Sequence, residues 1–122
     1  MDGLHGTRAL GRYGEELAAR YLRERGLEII ARNWTCPDGE LDLIARDGDC
    51  LVVCEVKTRR GTGVGDPLEA VTWDKVRRLR RLTAAYLRER PEPVREVRID
   101  VIGVLARRGQ RPVLRHVEAV GS

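Results

Sequence analysis

Hydrophobic residues in the first part of the chain repeat at the spacing of an α-helix. Between Gly11 and Arg25 the apolar positions fall on one face, and charged residues occupy the remaining positions. Gly26 follows directly, and a glycine just past the last turn commonly ends a helix. The pattern therefore predicts an amphipathic helix with an apolar face made of Leu17, Ala18, Tyr21 and Leu22.

Apolar and β-branched segments separated by turn sequences predict strands on either side of a second helix. Pro37-Asp38-Gly39 is a turn sequence, and Asp47-Gly48 is typical of two-residue hairpin turns. A further break at Arg107-Arg108-Gly109-Gln110 separates the last two apolar segments. These turn sequences predict five strands, at residues 27–34, 40–46, 50–58, 97–105 and 112–120.

A second helical pattern lies between the third and fourth of these strands. Asp66 and Pro67 resemble a helix start, with an acidic N-cap and proline in the first turn, and Pro91 stops the pattern. We expect one helix from Asp66 to about Arg90, with a kink near Thr72. The order α-β-β-β-α-β-β indicates an α/β fold, with a mixed sheet flanked by helices in a single domain over residues 1–122.

Composition narrows the class of protein. With 42% hydrophobic and 34% charged residues, the chain is too apolar for a disordered segment and too charged for a membrane protein. No apolar run approaches the roughly 20 residues that cross a bilayer, so we expect a cytoplasmic protein without a membrane partner. The three cysteines form no CxxC pair, which indicates reduced structural thiols and no zinc ribbon.

The basic residues are almost all arginines. Of 23 Lys and Arg residues, only Lys57 and Lys75 are lysines, and the net charge is +4. Lysine presents a compact ammonium that approaches a single oxygen, whereas guanidinium is a broad planar fork. Lysine in an arginine-rich chain therefore hints at specific chemistry, and the basic excess is compatible with a polyanionic partner.

The central hairpin brings acidic residues together. If Asp47-Gly48 is a two-residue turn, Asp42 lies opposite Val53, Glu40 lies opposite Glu55, and the Asp42 and Glu55 Cα atoms are about 7 to 8 Å apart. Side chains alternate along a strand, so this register predicts two sets. Glu40, Asp42, Glu55 and Lys57 share one face, and Leu41, Leu43, Val52, Cys54 and Val56 share the other. A turn of three or five residues would place Asp42 and Glu55 on opposite faces.

Paired carboxylates of this kind favour a divalent cation. Two acids on one small patch repel each other unless a cation, a proton or a lysine offsets their charge. Oxygen ligands suit Mg²⁺ or Mn²⁺, which keep several waters and bind substrate phosphate as well. In this hairpin both Lys57 and a Mg²⁺ or Mn²⁺ ion between Asp42 and Glu55 could offset the charge of the two acids.

The strand motifs resemble those of a known superfamily. Gly39-Glu40-Leu41-Asp42-Leu43-Ile44 and Glu55-Val56-Lys57 are similar to the signature of the PD-(D/E)XK, or restriction-endonuclease-like, nucleases. Over residues 8 to 105 the chain resembles more closely the YraN family of small bacterial proteins, related to archaeal Holliday-junction resolvases. Further motifs shared with that family are Gly14-Glu15-Glu16, Gly26, Asn33, Gly65, Lys75, Ala85-Tyr86-Leu87 and Arg98-Ile99-Asp100-Val101.

The resemblance implies a fold and roles for particular residues. It implies a restriction-endonuclease-like core in which Asp42 and Glu55 hold the metal and Lys57 orients water or neutralises phosphoryl oxygens. Glu15 matches the first-helix acid that completes the site in the resolvases. The proline of the PD-(D/E)XK signature is absent here, where Glu40-Leu41 precedes Asp42.

Several of these residues also have simpler explanations. Glu55 and Lys57 alone would commonly be a solvent-exposed pair, Glu15 a helix-surface acid, and Glu40 either a ladder partner or a direct ligand. Asp100 lies in an apolar strand and is expected to be a buried partner of an arginine in preference to a catalytic residue. The flanking run Leu51-Val52-Val53-Cys54 nevertheless indicates a strand covered on both faces, where unpaired charge is costly.

Three functions follow from these observations. The first is a metal-dependent endonuclease acting on branched or otherwise structured DNA, for which symmetric cleavage would favour a homodimer. The second is a nucleic-acid-binding module of a recombination or repair assembly that does not cut, and the third is a structural partner protein that binds no nucleic acid. The DNA-contacting residues expected are Arg59, Arg60, Lys75 and Arg78, although Lys75 and the arginines of residues 77–81 also fit a solvated helix face.

Overall fold

The element order expected from the sequence is the observed one. The computed structural model describes residues 7–61 and 71–121. Its elements are α1 (Thr7–Glu24), β1 (Glu28–Cys36), β2 (Gly39–Asp47), β3 (Cys50–Arg60), α2 (Trp73–Glu89), β4 (Glu96–Ala106) and β5 (Val113–Val117). None of the helices in these ranges is long and apolar enough to cross a bilayer.

The strands form one mixed sheet in the order β1-β2-β3-β4-β5. β3 and β4 are parallel, and the other neighbouring pairs are antiparallel. A parallel pair needs a crossover connection, and α2 lies in the segment that provides it. The mixed sheet flanked by helices is therefore confirmed.

The two helices cover opposite faces of the sheet. Val76, Leu79 and Leu82 of α2 belong to one buried cluster, which contains Leu51 and Val53 of β3. The helix α1 contributes Ala18, Ala19 and Leu22 to a second cluster, which contains Val52 and Cys54. Residues 51–54 are all buried. As expected from its continuous apolar run, β3 is covered on both sides.

The register of the β2–β3 hairpin differs from the expected one by two residues. Asp47 pairs with Cys50, so the turn is Gly48-Asp49 and not Asp47-Gly48. Gly48 takes φ +59° at the first turn position, where glycine is favoured. Asp42 is therefore not opposite Val53, nor Glu40 opposite Glu55. A shift of two residues keeps the same side chains on each face, because strands repeat every second residue.

The position expected for Leu41 is wrong. Leu41 lies in the cluster under α2, together with its strand partner Trp34 and with Tyr86, whereas Leu43 lies under α1. Asn33, next to Trp34, has φ +50°, in the left-handed region that interrupts a regular pleat. Local backbone geometry in β1 thus overrides the alternation that the sequence pattern assumes.

The second helix also starts later than expected. Thr72 has extended backbone angles, φ −108° and ψ 163°, and its hydroxyl accepts a hydrogen bond from the Lys75 N–H. Thr72 is therefore the N-cap of α2 and not a kink inside a longer helix. The expected start at Asp66-Pro67 lies outside the described residues, as does Gly65 of the family motifs.

Asp100 is the centre of a buried polar network. Its carboxylate is fully buried and accepts hydrogen bonds from Arg98 Nε at 3.1 Å and the Ala119 N–H at 3.0 Å. His116 Nε2 lies 2.8 Å from the same carboxylate, and His116 Nδ1 lies 3.1 Å from the Tyr21 hydroxyl. Asp100 is the buried partner of an arginine, as expected from the sequence. The three cysteines are free thiols, again as expected.

Gly14 sets the distance between α1 and the sheet. A Cβ atom at this position would lie 1.8 Å from the Thr58 Oγ1 atom of β3. Because the obstacle is the Cβ-proximal part of a short, β-branched side chain, it has little room to move. We expect Gly14→Ala to lower the free energy of unfolding by about 1 to 3 kcal/mol, measured by urea denaturation.

Gly11 provides the matched control in the same helix. A Cβ atom there would meet no atom within 4 Å. Gly11→Ala should therefore raise the free energy of unfolding by roughly 0.5 to 1 kcal/mol through helix propensity. Equal effects of the two substitutions would contradict a close approach of α1 to Thr58.

Candidate active site

Asp42 lies where β2 and β3 separate. The described pairs between these strands run from Asp47–Cys50 to Leu43–Cys54, and one further step in this register would place Asp42 opposite Glu55. At that point the Asp42 Oδ2 atom accepts a hydrogen bond of 2.9 Å from the Val56 N–H. A backbone N–H of a strand points along the plane of the sheet, so the carboxylate lies in the fork between the strands.

Glu55 is held by a basic side chain of the second helix. Lys75 Nζ lies 2.7 Å from Glu55 Oε2, and the side chains are 29% and 16% exposed. The Thr72 cap fixes the first turn of α2, from which Lys75 extends toward the sheet. This ion pair is only partly accessible to water, so it is screened less than a surface pair.

The two acids open into a small cavity between the fork and α2. Its volume is about 200 Å³. Acidic side chains come from the strands, and basic and apolar side chains come from the helix. The lining residues are Glu40, Asp42, Glu55, Lys75, Arg78, Leu79 and Leu82.

Burial and mutual repulsion keep a proton on this acidic pair. Burial first, and then the Glu55 carboxylate, raise the pKa of Asp42 to about 8. The two carboxyl groups are also hydrogen-bonded to each other, which further favours the protonated form, while the Val56 N–H opposes it. A bound cation in place of the proton would stabilise such a site, because it offsets the repulsion between the two carboxylates.

Glu15 approaches the same group of acids from α1. Burial is the main reason that the pKa of Glu15 is raised, and the carboxylates of Glu40 and Glu55 add to the shift. A hydrogen bond between the side chains of Glu15 and Asn33 acts in the opposite direction. Glu15 thus lies within electrostatic reach of Glu55 but does not line the cavity.

Lys57 follows Glu55 on the same strand. β3 continues in unbroken parallel register with β4 through Arg60, so the alternation places Lys57 and Arg59 on the Glu55 face and Arg60 on the other. Lys57 is half-buried, whereas both arginines are exposed. The cavity wall does not include Lys57, so its expected role depends on a substrate that extends along β3 from Glu55.

The donor set fits a cation with few protein ligands. In the described ranges, no group of three or more His, Cys, Asp or Glu side chains is arranged to hold a metal ion. Mg²⁺ commonly binds through one or two carboxylates, with waters and substrate phosphate completing its coordination. Asp42 and Glu55 meet that requirement, whereas a site made only of protein ligands is not present in those ranges.

Sequence reasoning missed part of this arrangement. Lys75 was expected to contact phosphate, but its attachment to Glu55 was not, and Asn33 was not expected to bind Glu15. The sequence did contain one sign that Lys75 has a specific role, because it is one of only two lysines in an arginine-rich chain. The contact itself joins residues that are distant in the chain and depends on how α2 packs.

Fold and site together define a small mixed α/β protein with paired carboxylates at an open fork in its sheet. The model of the family described as "Uncharacterised protein family UPF0102" matches residues 14–104. The chain therefore belongs to the UPF0102 family, which is YraN-like, and the family expected from the sequence motifs is confirmed.

Curated relatives are similar over almost the whole chain. A UPF0102 protein of Nocardia farcinica is 56% identical over 112 residues, covering 92% of this chain and 88% of its own. The UPF0102 protein of Beutenbergia cavernae is 54% identical, covering 93% and 96%. That of Streptomyces griseus subsp. griseus is also 54% identical, covering 92% and 95%.

Proposed function

We propose that this protein is a metal-dependent endonuclease that hydrolyses phosphodiester bonds of branched or otherwise structured DNA. The observation that carries the proposal is the convergence of the Asp42 and Glu55 carboxyl groups in one cavity, with Asp42 kept protonated near neutral pH. Two neighbouring, partly buried carboxylates destabilise a fold because their like charges repel, so the pair indicates a functional role. It suits a cation that binds together with a phosphate.

Each side chain has a part in the proposed reaction. Asp42 and Glu55 would hold Mg²⁺ or Mn²⁺, which when bound supplies charge neutralisation and an activated water for attack on phosphorus. Lys57 would orient the attacking water or neutralise a phosphoryl oxygen from its place on the same face of β3. Glu15 would assist from α1 by adding negative charge near Glu55.

The resemblance to PD-(D/E)XK nucleases supports the same function. The acid of β2, the Glu-x-Lys of β3 and the first-helix acid lie on elements in the order that this superfamily implies. A restriction-endonuclease-like core is thus part of the proposal. DNA as substrate also accounts for the net charge of +4, and it implies a cytoplasmic site of action. Cleavage of both strands at a symmetric junction would require two copies of the site in a homodimer.

A second candidate is a module that binds nucleic acid without cutting it. The ion pair between Lys75 and Glu55 favours this alternative, because it already offsets one carboxylate without a metal. Such a module would keep the basic surface and would be indifferent to divalent cations. Metal binding therefore separates the two functions.

Cleavage of branched DNA provides the test. Radiolabelled four-way junctions and flaps are incubated with Mg²⁺ or Mn²⁺ and with wild-type protein, Glu55→Gln or Lys57→Gln. We expect metal-dependent cleavage by the wild type and a loss of about 100-fold or more in each variant, because each removes charge or a ligand from the reacting centre. Glu96→Gln, at an exposed position where β4 begins, is the matched control and should retain activity.

Calorimetric titration with Mn²⁺ distinguishes the rival function. Wild-type protein should release or absorb heat on binding, and Glu55→Gln should not. Equal cleavage by wild type, Glu55→Gln and Lys57→Gln would exclude this site as the catalytic centre. Absence of both cleavage and metal binding, with DNA binding retained, would favour the binding module.

A further inference from the structure

A basic groove begins at the wall of the acidic cavity. It lies between α2 and the β1–β2 turn and has a volume of about 500 Å³. Arg78 and Leu82 line both the groove and the cavity, so the two spaces share a wall. The groove is lined by Asp38, Arg78, Arg81, Leu82, Ala84, Ala85 and Arg88.

The arginines of α2 divide into two sets. Arg77 is paired with Asp74 on the same helix, and the Arg80 Nη2 atom donates a hydrogen bond of 2.7 Å to the Gly121 carbonyl oxygen. Neither lines the groove. The other set, Arg78, Arg81 and Arg88, does.

The groove arginines remain available to a ligand. Arg81 and Arg88 are exposed, and neither has an ion-pair partner within residues 7–61 and 71–121. Within the same ranges, Arg78 donates a hydrogen bond of 3.3 Å to the Asp38 carbonyl oxygen, which does not neutralise its charge. Asp38 contributes the one acidic side chain of the lining. Three guanidinium groups thus face one concave surface with little compensation.

Helix geometry arranges these groups in a row. At 100° per residue the positions 78, 81 and 88 fall within about 80° of each other, and at 1.5 Å per residue they extend over about 15 Å. Lys75, one turn before Arg78, continues the same stripe into the cavity. The basic groups therefore lead along α2 from the paired acids outward.

We propose that this groove binds the phosphate backbone of the DNA strand next to the bond that is cut. The inference rests on the proposed function, because the strand must pass from the groove to Asp42 and Glu55. Guanidinium groups bind phosphate oxygens well, and contacts of this type position DNA without reading its sequence. Leu82, Ala84 and Ala85, which lie between Arg81 and Arg88 in the sequence, contribute uncharged side chains to the lining.

The test compares two double variants that each remove two charges from one helix. Fluorescence anisotropy of labelled duplex and four-way-junction DNA is measured in EDTA over a range of NaCl concentrations. For Arg81→Gln/Arg88→Gln we expect at least about a 10-fold weaker affinity, and a slope of log affinity against log salt that is smaller by about two. For Arg77→Gln/Arg80→Gln we expect a change of less than about twofold.

The outcomes separate this proposal from the one on which it rests. If both double variants lose DNA affinity to the same extent, the groove proposal is wrong, because only the total charge of the protein would then determine binding. No binding of DNA by the wild type would also overturn it and would point to an acidic protein as the ligand of the arginines. If the groove variants bind DNA as well as the wild type but Glu55→Gln still abolishes cleavage, the groove proposal is wrong and the endonuclease proposal is supported. If the groove variants behave as expected and no cleavage occurs with any metal, only the catalytic proposal fails.

Discussion

Asp42→Asn is expected to stabilise the folded protein at pH 8 while removing its affinity for divalent metal. Burial and the Glu55 carboxylate raise the pKa of Asp42 from its ordinary value of 3.8 to about 8. Between these values the folded protein holds a proton that the unfolded chain has lost. Its free energy of unfolding therefore falls as pH rises from about 4 to about 8.

Asparagine cannot ionise, so the free energy of unfolding of Asp42→Asn should not fall in this way between about pH 4 and pH 8. Its side-chain oxygen can still accept the hydrogen bond from the Val56 N–H. The difference in unfolding free energy between variant and wild type should thus grow with pH, by on the order of a few kcal/mol. Urea denaturation at pH 5 and at pH 8 measures it. Asp49→Asn, in the exposed turn of the same hairpin, should show no comparable dependence.

Divalent metal should reduce this difference in stability between variant and wild type. A ligand that binds only the folded state stabilises it by about 2.7 kcal/mol at a concentration of 100 Kd. Adding Mg²⁺ or Mn²⁺ at pH 8 should raise the unfolding free energy of the wild type and leave Asp42→Asn unchanged. A wild type insensitive to both ions at pH 8 would contradict the assignment of Asp42 and Glu55 as ligands.

Asp100→Ala should cause the largest loss of stability among the acidic residues discussed. The carboxylate is fully buried, and its removal would leave Arg98 Nε, His116 Nε2 and the Ala119 N–H without their acceptor. Breaking one side of a buried charged pair typically costs about 3 to 5 kcal/mol. We expect a loss of that size in urea denaturation at pH 7.

Asp47→Ala is the matched control, because it removes another acid from the same arginine. Asp47 Oδ2 lies 3.6 Å from Arg98 Nη1, and the Asp47 side chain is 51% exposed. An exposed pair of this kind contributes less than about 1 kcal/mol. Similar losses in the two variants would show that burial of Asp100 does not matter and would contradict the network.

Much of the fold could be predicted from local patterns. Strand β3 was identified by its continuous apolar run, and α1 by the spacing of its apolar face. The start of α2 was missed, because Asp66-Pro67 carries the signals of a helix start but Thr72 supplies the cap of the described helix. Competing local signals of similar strength are separated only by the packing of the segments around them.

The error in the expected register of the β2–β3 hairpin did not change the prediction that Asp42 and Glu55 lie in one site. Moving the turn from Asp47-Gly48 to Gly48-Asp49 shifts the pairing by two residues, which preserves the faces. Asp42 and Glu55 consequently share one site in either register. Leu41 is the exception, since the left-handed Asn33 changes the pleat beside it.

The sequence by itself determined the order of the elements, the family, and the placement of Asp42 and Glu55 near each other on the neighbouring strands of one hairpin. These follow from periods of two and 3.6 residues, which act over short distances along the chain. Only the tertiary structure decided that Lys75 reaches Glu55, that β2 and β3 separate at Asp42, and that Arg81 and Arg88 continue the site while Arg77 and Arg80 turn away. Those contacts join residues far apart in the chain, and their geometry is fixed by how the helices pack against both faces of the sheet.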